Sequence, residues 1–175
     1  RHIAIANDLV LPVHTPVRFR LTSATVATDF FIPQLAGQID VMPGMRTWQG
    51  LIANSTGTYD GFASDYNGPG FSWMRFKTHV VSQADFAAWE TGMAQVPDRL
   101  DDAAFVKFAS PTINVHDTTY RFSGVQDGLF DHVVENVMMG QTYITPSGMT
   151  QKTSHDVNGG RQPSSSLVVP GQDQN

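Results

Sequence analysis

The sequence has no cysteine, no long apolar run and few charges, and each shortage removes a class of function. Zero cysteines in 175 residues exclude disulfides, thiolate metal sites and a thiol nucleophile. They do not fix the compartment, because a cysteine-free chain is stable in either redox setting. Mean hydropathy is −0.19, and no apolar stretch approaches the ~20 residues that a membrane-spanning helix needs. Arg1-His2-Ile3 shows no signal-peptide pattern. Charged residues make up 15% of the chain, and the net charge of −5 argues against nucleic acid or an anionic lipid surface as the main partner.

Catalytic patterns are missing too. The six histidines are His2, His14, His79, His116, His132 and His155. None of them has a second imidazole four residues away, the spacing that puts two on one helix face, so ordinary surface or capping roles are expected. Ser72 and Ser123 lie near no evident base, and Gly70-Phe71-Ser72-Trp73-Met74 is not a nucleophile elbow. No Lys-Ser/Thr follows Gly68-Pro69-Gly70, which is therefore not a phosphate loop. The paired acids Asp101-Asp102 open a helix, where capping and the macrodipole explain them.

What is present is a strand pattern. An apolar content of 41% supports a real core, in one domain with an appendage. Asp8–Leu11 reads as a short strand that Pro12 ends. Val17–Thr22 alternates, with Val17, Phe19 and Leu21 facing the core and Arg18 and Arg20 facing water. The apolar burst Phe30–Pro33, then Gln38–Met42 before the turn Pro43-Gly44, then Arg46–Ala53, continue the series. Short strands spaced by Pro, Gly and Asn turns indicate an antiparallel sandwich. The period changes at Ser82. Ser82 with Asp85 is a helix N-terminal capping signal, and Phe86, Trp89 and Met93 follow at helical spacing. Asp101–Ala109 and Gly128–Met139 read as two more helices, the last stopped by Gly140, with Met138 and Met139 as packing. Six aromatics, Phe86, Trp89, Phe105, Phe108, Phe122 and Phe130, are expected to form a satellite core against one sheet. Beyond Gln141 the chain turns to Ser, Gly, Gln, Pro and Asn, including Ser164-Ser165-Ser166, the composition of a flexible tail. The expected organisation is 1–81 as a β-sandwich, 82–140 as a helical aromatic-rich extension and 141–175 as the tail.

The stretch around which the rest is organised is Gly57–Lys77, GTYDGFASDYNGPGFSWMRFK. It reads as a strand, a glycine-rich loop and a second strand. This stretch resembles the metal loop of subunit II of the haem–copper respiratory oxidases. In the cytochrome c oxidase branch that loop runs Cys-x-Glu-x-Cys-x-x-x-His-x-x-Met. Laid on this chain, the cysteine positions fall on Ala63 and Asn67, the glutamate on Asp65, the histidine on Phe71 and the methionine on Met74. A further ligand histidine matches Thr28, ahead of Asp29-Phe30-Phe31-Ile32-Pro33. The quinol oxidase branch, such as the cytochrome bo-type ubiquinol oxidases, departs from the copper pattern in this way. Its subunit II is similar over most of Asp8–Met139: FFIP, PGM, LIAN, GTYDG and GPGFS-x-M-x-FK occur in order.

The resemblance implies a cupredoxin-like antiparallel β-sandwich of Greek-key type with a small C-terminal helical extension. It implies that two transmembrane helices and the first strands precede the equivalent of Arg1. It implies a periplasmic domain of a bacterial inner-membrane complex, a proton-pumping ubiquinol oxidase. The haems, the catalytic copper and the quinol site would belong to subunit I, the partner that this chain caps. The chain itself would hold no cofactor, metal or catalytic residue, and its ligand positions Thr28, Ala63, Asp65, Asn67 and Phe71 would be vacated, with Met74 retained. Thiolates suit copper, and alanine and asparagine cannot replace them. The alternative is a free periplasmic cupredoxin-like module that handles metal through methionine and histidine; a copper-relay subunit needs the missing cysteines. Phe71 is expected to turn inward and fill the ligand volume. Asp65 is expected to cap the turn through the amides of Asn67 or Gly68, the preferred reading, or to reach a Mg²⁺-type ion at the contact with subunit I.

Overall fold

Alternation along Pro16–Leu21 buries Phe19 and Leu21, exposes Arg18 and leaves Arg20 half-buried, the two-residue period of a pleated strand. Val17 is half-buried on the core side. A computed structural model of the chain describes residues 3–68, 70–109 and 118–140, together with the backbone of Val169–Pro170. Pro69, Pro111, His2, His116, His155 and the rest of the stretch 141–175 lie outside the described residues.

Two sheets face each other. Numbered in chain order, one contains β2 (Asp8–Pro12), β4 (Thr28–Ile32), β5 (Ala36–Val41), β7 (Gly57–Phe62) and β8 (Arg75–Val81), in the order β2-β8-β7-β4-β5. The other contains β3 (Pro16–Leu21), β6 (Thr47–Ile52) and β12 (Val169–Pro170), in the order β12-β3-β6. This is the cupredoxin-like sandwich that the resemblance implies, with one departure: β2 runs parallel to β8, Asp8 opposite Lys77 through Pro12 opposite Val81. After β2 the chain crosses to the second sheet and returns to β8 only after several strands, and a parallel pair needs such a crossover. Alternating hydrophobicity carries no strand direction, so the sequence alone could not show it.

The core between the sheets is built from Leu11, Phe19, Leu21, Phe30, Ile32 and Val80. Phe30 sits between two rings, Phe19 at 5.3 Å and Phe76 at 5.4 Å, the latter nearly parallel at 12°. Phe76 lies across Gly61, its partner on β7, so closely that a Cβ there would stand 2.2 Å from the ring. Gly61→Ala is therefore expected to push Phe76 off Phe30 and cost about 1–3 kcal/mol, as overpacking does. Urea denaturation reads the loss.

The segment after β8 builds its own cluster. Ser82 caps α1 (Gln83–Met93), its Oγ accepting from the Asp85 amide at 3.1 Å. Asp101 caps α2 (Asp102–Phe108) by accepting from the Ala104 amide at 2.8 Å. Gly128, at φ 77°, opens α3 (Leu129–Met138), and Gly140, at φ 74°, follows its end. Short strands tie the pieces together. β9 (Arg99–Leu100) pairs in parallel with β11 (Gly124–Val125), and β10 (Tyr120–Phe122) pairs with β1 (Ala4–Ala6). The six aromatics do not form one cluster. Phe105 is buried among Leu100, Leu129 and Val133, with Phe122 at the edge. Phe108 meets Tyr120 and Phe122 edge-on, and Phe86 packs on Trp89 along α1. Phe130 is buried beneath the Arg20 guanidinium of β3 at 4.0 Å. Aliphatic and alanine side chains supply most of the centre.

A polar contact joins α2 to α3. Asp102 accepts from Gln126 Nε2 at 2.7 Å and lies 2.9 Å from His132 Nδ1. The Gln126 hydrogen bond first, and His132 second, hold its carboxyl below the ordinary value of 3.8. A depressed folded pKa stabilises above the unfolded value, and that contribution disappears as pH falls through the folded one. Amide protection of α2 and α3 is thus expected to weaken as pH falls below the ordinary value of 3.8, and Asp102→Asn is expected to flatten that loss. Equal acid sensitivity in both proteins would contradict it.

Candidate functional site

The loop that the sequence singles out joins β7 to β8. Its ends are pinned where the Ala63 N–H donates to the Met74 carbonyl at 3.1 Å. Gly68 and Gly70 take φ of 126° and 94°, left-handed values that favour glycine. They let the chain turn into a 3₁₀ segment, Phe71–Trp73, in which Phe71 donates to Gly68 and Trp73 to Gly70.

Two side-chain clamps hold the loop. The first is the carboxylate of Asp29, 5% exposed. Its Oδ1 accepts from the Ser64 amide at 2.6 Å and the Asp65 amide at 3.2 Å, and its Oδ2 accepts from the Ser64 hydroxyl. The second is the amide of Asn67. Its Nδ2 donates to Thr28 Oγ1 at 2.9 Å and to Met74 Sδ at 3.1 Å. Three of the matched ligand positions, Thr28, Asn67 and Met74, are thereby joined directly, although β4 and the loop are far apart in sequence. Ala63 closes the hairpin beside them.

Two expectations change. Phe71 does not fill the ligand volume: it is half-buried, outside the core cluster, and stands edge-on to the exposed Tyr66 at 5.3 Å. The 3₁₀ turn aims it outward, and Asn67 occupies the space between Thr28 and Met74 instead. The carboxylate that caps the loop is that of Asp29, not Asp65. Asp65 contributes its backbone N–H, and the residue is exposed. A buried acid inside the apolar run Thr28–Ile32 was the signal available for Asp29.

The converging side chains do not fit a copper centre. They offer one hydroxyl, one carboxamide and one thioether, and both hydrogens of the carboxamide nitrogen point at the other two. The single soft donor, Met74 Sδ, is already an acceptor, and thiolates and imidazoles, which suit copper, are absent from the set. Asn67→Ala is expected to cost about 1–2 kcal/mol through two lost hydrogen bonds. It is also expected to move the Met74 methyl resonance.

The described histidines are placed on ordinary contacts. His79 of β8 lies between Thr58 Oγ1 at 3.2 Å and Asp8 Oδ1 at 3.3 Å, His132 faces Asp102, and His14 is exposed with φ 57°. Ser123 Oγ donates to the Asp98 carbonyl. Met138 and Met139, read as packing, are instead exposed, because α3 ends where its buried face has already turned away. A cleft of about 470 Å³ runs from Thr28, Ala63 and Met74 to Phe108, Tyr120 and Phe122, between sandwich and extension. Among the described residues no helix is long and apolar enough to cross a membrane.

The sequence matches the family model of the cytochrome c oxidase subunit II periplasmic domain over residues 1–83. It is 46% identical over 112 residues to cytochrome bo(3) ubiquinol oxidase subunit 2 of Pseudomonas putida, covering 64% of this chain and 36% of that protein. It is 36% identical over 146 residues to ubiquinol oxidase subunit 2 of Acetobacter aceti, covering 83% and 47%. The chain thus spans less than half the length of these relatives. Among solved structures, the periplasmic domain of cytochrome oxidase subunit II from Bradyrhizobium japonicum is 31% identical, with a TM-score of 0.46, over 47% of this chain and 60% of that one.

Proposed function

The chain belongs to the family of oxidase subunit II periplasmic domains, and from that premise we propose that it serves in a ubiquinol oxidase as a subunit with no catalytic residue of its own. The observation that carries the reading is the Thr28–Asn67–Met74 contact. At the positions matching copper ligands the chain holds a hydrogen-bonded brace, so the loop keeps a defined form without a metal. A quinol delivers electrons from within the membrane, and a complex fed that way needs no copper relay from a soluble cytochrome. The vacated positions are Thr28, Ala63, Asp65, Asn67 and Phe71, with Met74 retained.

In this proposal residues 1–81 supply most of the sandwich and 82–140 most of the extension; the expected tail 141–175 lies largely outside the described residues, and Val169–Pro170 within it pairs with β3 as a strand. The domain faces the periplasm and caps subunit I, which holds the haems, the copper and the quinol site. The exposed Asp65 lies toward that partner and is available to a hard cation there. Purification of the complex from membranes through a tag on this chain tests the reading. A haem-bearing subunit I is expected to co-purify. Recovery of the chain alone, from membranes with an active oxidase, would overturn it.

A further inference from the structure

Met42, Met45, Met138 and Met139 are exposed by 42%, 54%, 68% and 75%, whereas Met93 is buried and Met74 is engaged by Asn67. The exposed four come from two distant parts of the chain that meet. Met42 and Met45 begin and end the turn Met42-Pro43-Gly44-Met45, closed by the Met45 N–H donating to the Met42 carbonyl at 3.2 Å. The end of α3 lies on this turn. A Cβ placed on Gly44 would stand 3.2 Å from Met138 Cγ and 3.7 Å from Val137 Cγ1. The absence of a side chain at Gly44 therefore lets Met138 lie against the turn that Met42 and Met45 bracket.

Single exposed apolar side chains are ordinary, but a gathering of them marks an interaction site. This gathering is built from one chemical group. Methionine is unbranched, with three rotatable bonds, so neighbouring sulfurs can turn to a common point without backbone movement. A thioether is a soft, neutral donor that selects Cu(I) over harder cations, and it has no proton to lose on binding. The adjacent cation, Arg46, is held by Asp131 at 3.0 Å. We propose that Met42, Met45 and Met138 form a surface site for a soft monovalent cation, Cu(I). The site is separate from the loop 63–74, and it does not depend on the quinol oxidase reading.

The test is a titration of the full chain, labelled at the methionine methyls, with Ag(I), a redox-inert stand-in for Cu(I). Saturable shifts at one equivalent are expected at Met42, Met45 and Met138, with Met74 and Met93 unmoved. Met45→Leu and Met138→Leu each remove one sulfur at nearly constant volume. Each is expected to weaken binding about tenfold or more, the loss of one ligand, with the amide spectrum unchanged elsewhere. Shifts confined to Met74, Met93 or Met149, or equal Ag(I) affinity in the Met45→Leu/Met138→Leu double variant, would overturn the site and leave the patch as an apolar surface only.

Discussion

Replacing Asp29 by alanine is expected to destabilise the protein by about 2–4 kcal/mol, because hydrogen bonds to a buried charged acceptor are among the stronger ones and their donors would be left unpaired. Three donors lose their partner at once: the Ser64 amide, the Ser64 hydroxyl and the Asp65 amide. The loss falls on the first half of the loop, so amide exchange should rise at residues 63–68 before it rises in β7 or β8. Asp29→Asn provides the contrast. One amide oxygen can still accept from both backbone donors, and the amide nitrogen can donate to the Ser64 hydroxyl. Its cost is expected to be less than half that of the alanine variant. Equal losses for the two would mean that the charge, not the geometry, holds the loop.

Phe105→Ala is expected to cost about 3–5 kcal/mol, the range for truncating a buried phenylalanine. Phe105 is 3% exposed, at the centre of the cluster formed with Leu100, Leu129 and Val133. The cluster also takes in Ala4 and Ala24, and β1 pairs with β10, so the damage should reach Ala4–Ala6. The strands β7 and β8, whose core is a different set of side chains, should keep their protection. A uniform loss of exchange protection through both clusters would show that sandwich and extension melt as one unit.

The sequence is most legible where one residue type has one physical use. Alternation marked Phe19 and Leu21 as core, because a pleated strand buries every second side chain. Ser82 and Asp85 marked the start of α1, and Gly68 and Gly70 marked the loop. Less legible is anything that depends on which elements meet. The parallel pairing of β2 with β8 leaves no trace in hydrophobic pattern. Asp29 and Asn67 carry the loop through contacts with residues distant in sequence, Ser64 from Asp29 and Thr28 from Asn67. The inward turn expected of Phe71 failed for the same reason: Asn67, a smaller polar side chain, already bridges the space. Met138 and Met139 continue an apolar helix in sequence, but the face of α3 that packs ends with Val134. The matched ligand positions were readable only through the resemblance, since alanine, asparagine and phenylalanine have no ligand pattern of their own.

The central claim is that the complex containing this chain takes electrons from quinol and uses no metal relay in the loop 63–74. Oxygen consumption by the purified complex, measured with reduced ubiquinol and then with a reduced soluble cytochrome c as donor, tests it most directly. Turnover with ubiquinol and none with the cytochrome, unchanged by Asn67→Ala, is the result expected. Turnover with the cytochrome that is abolished by Asn67→Ala or Met74→Leu would contradict it.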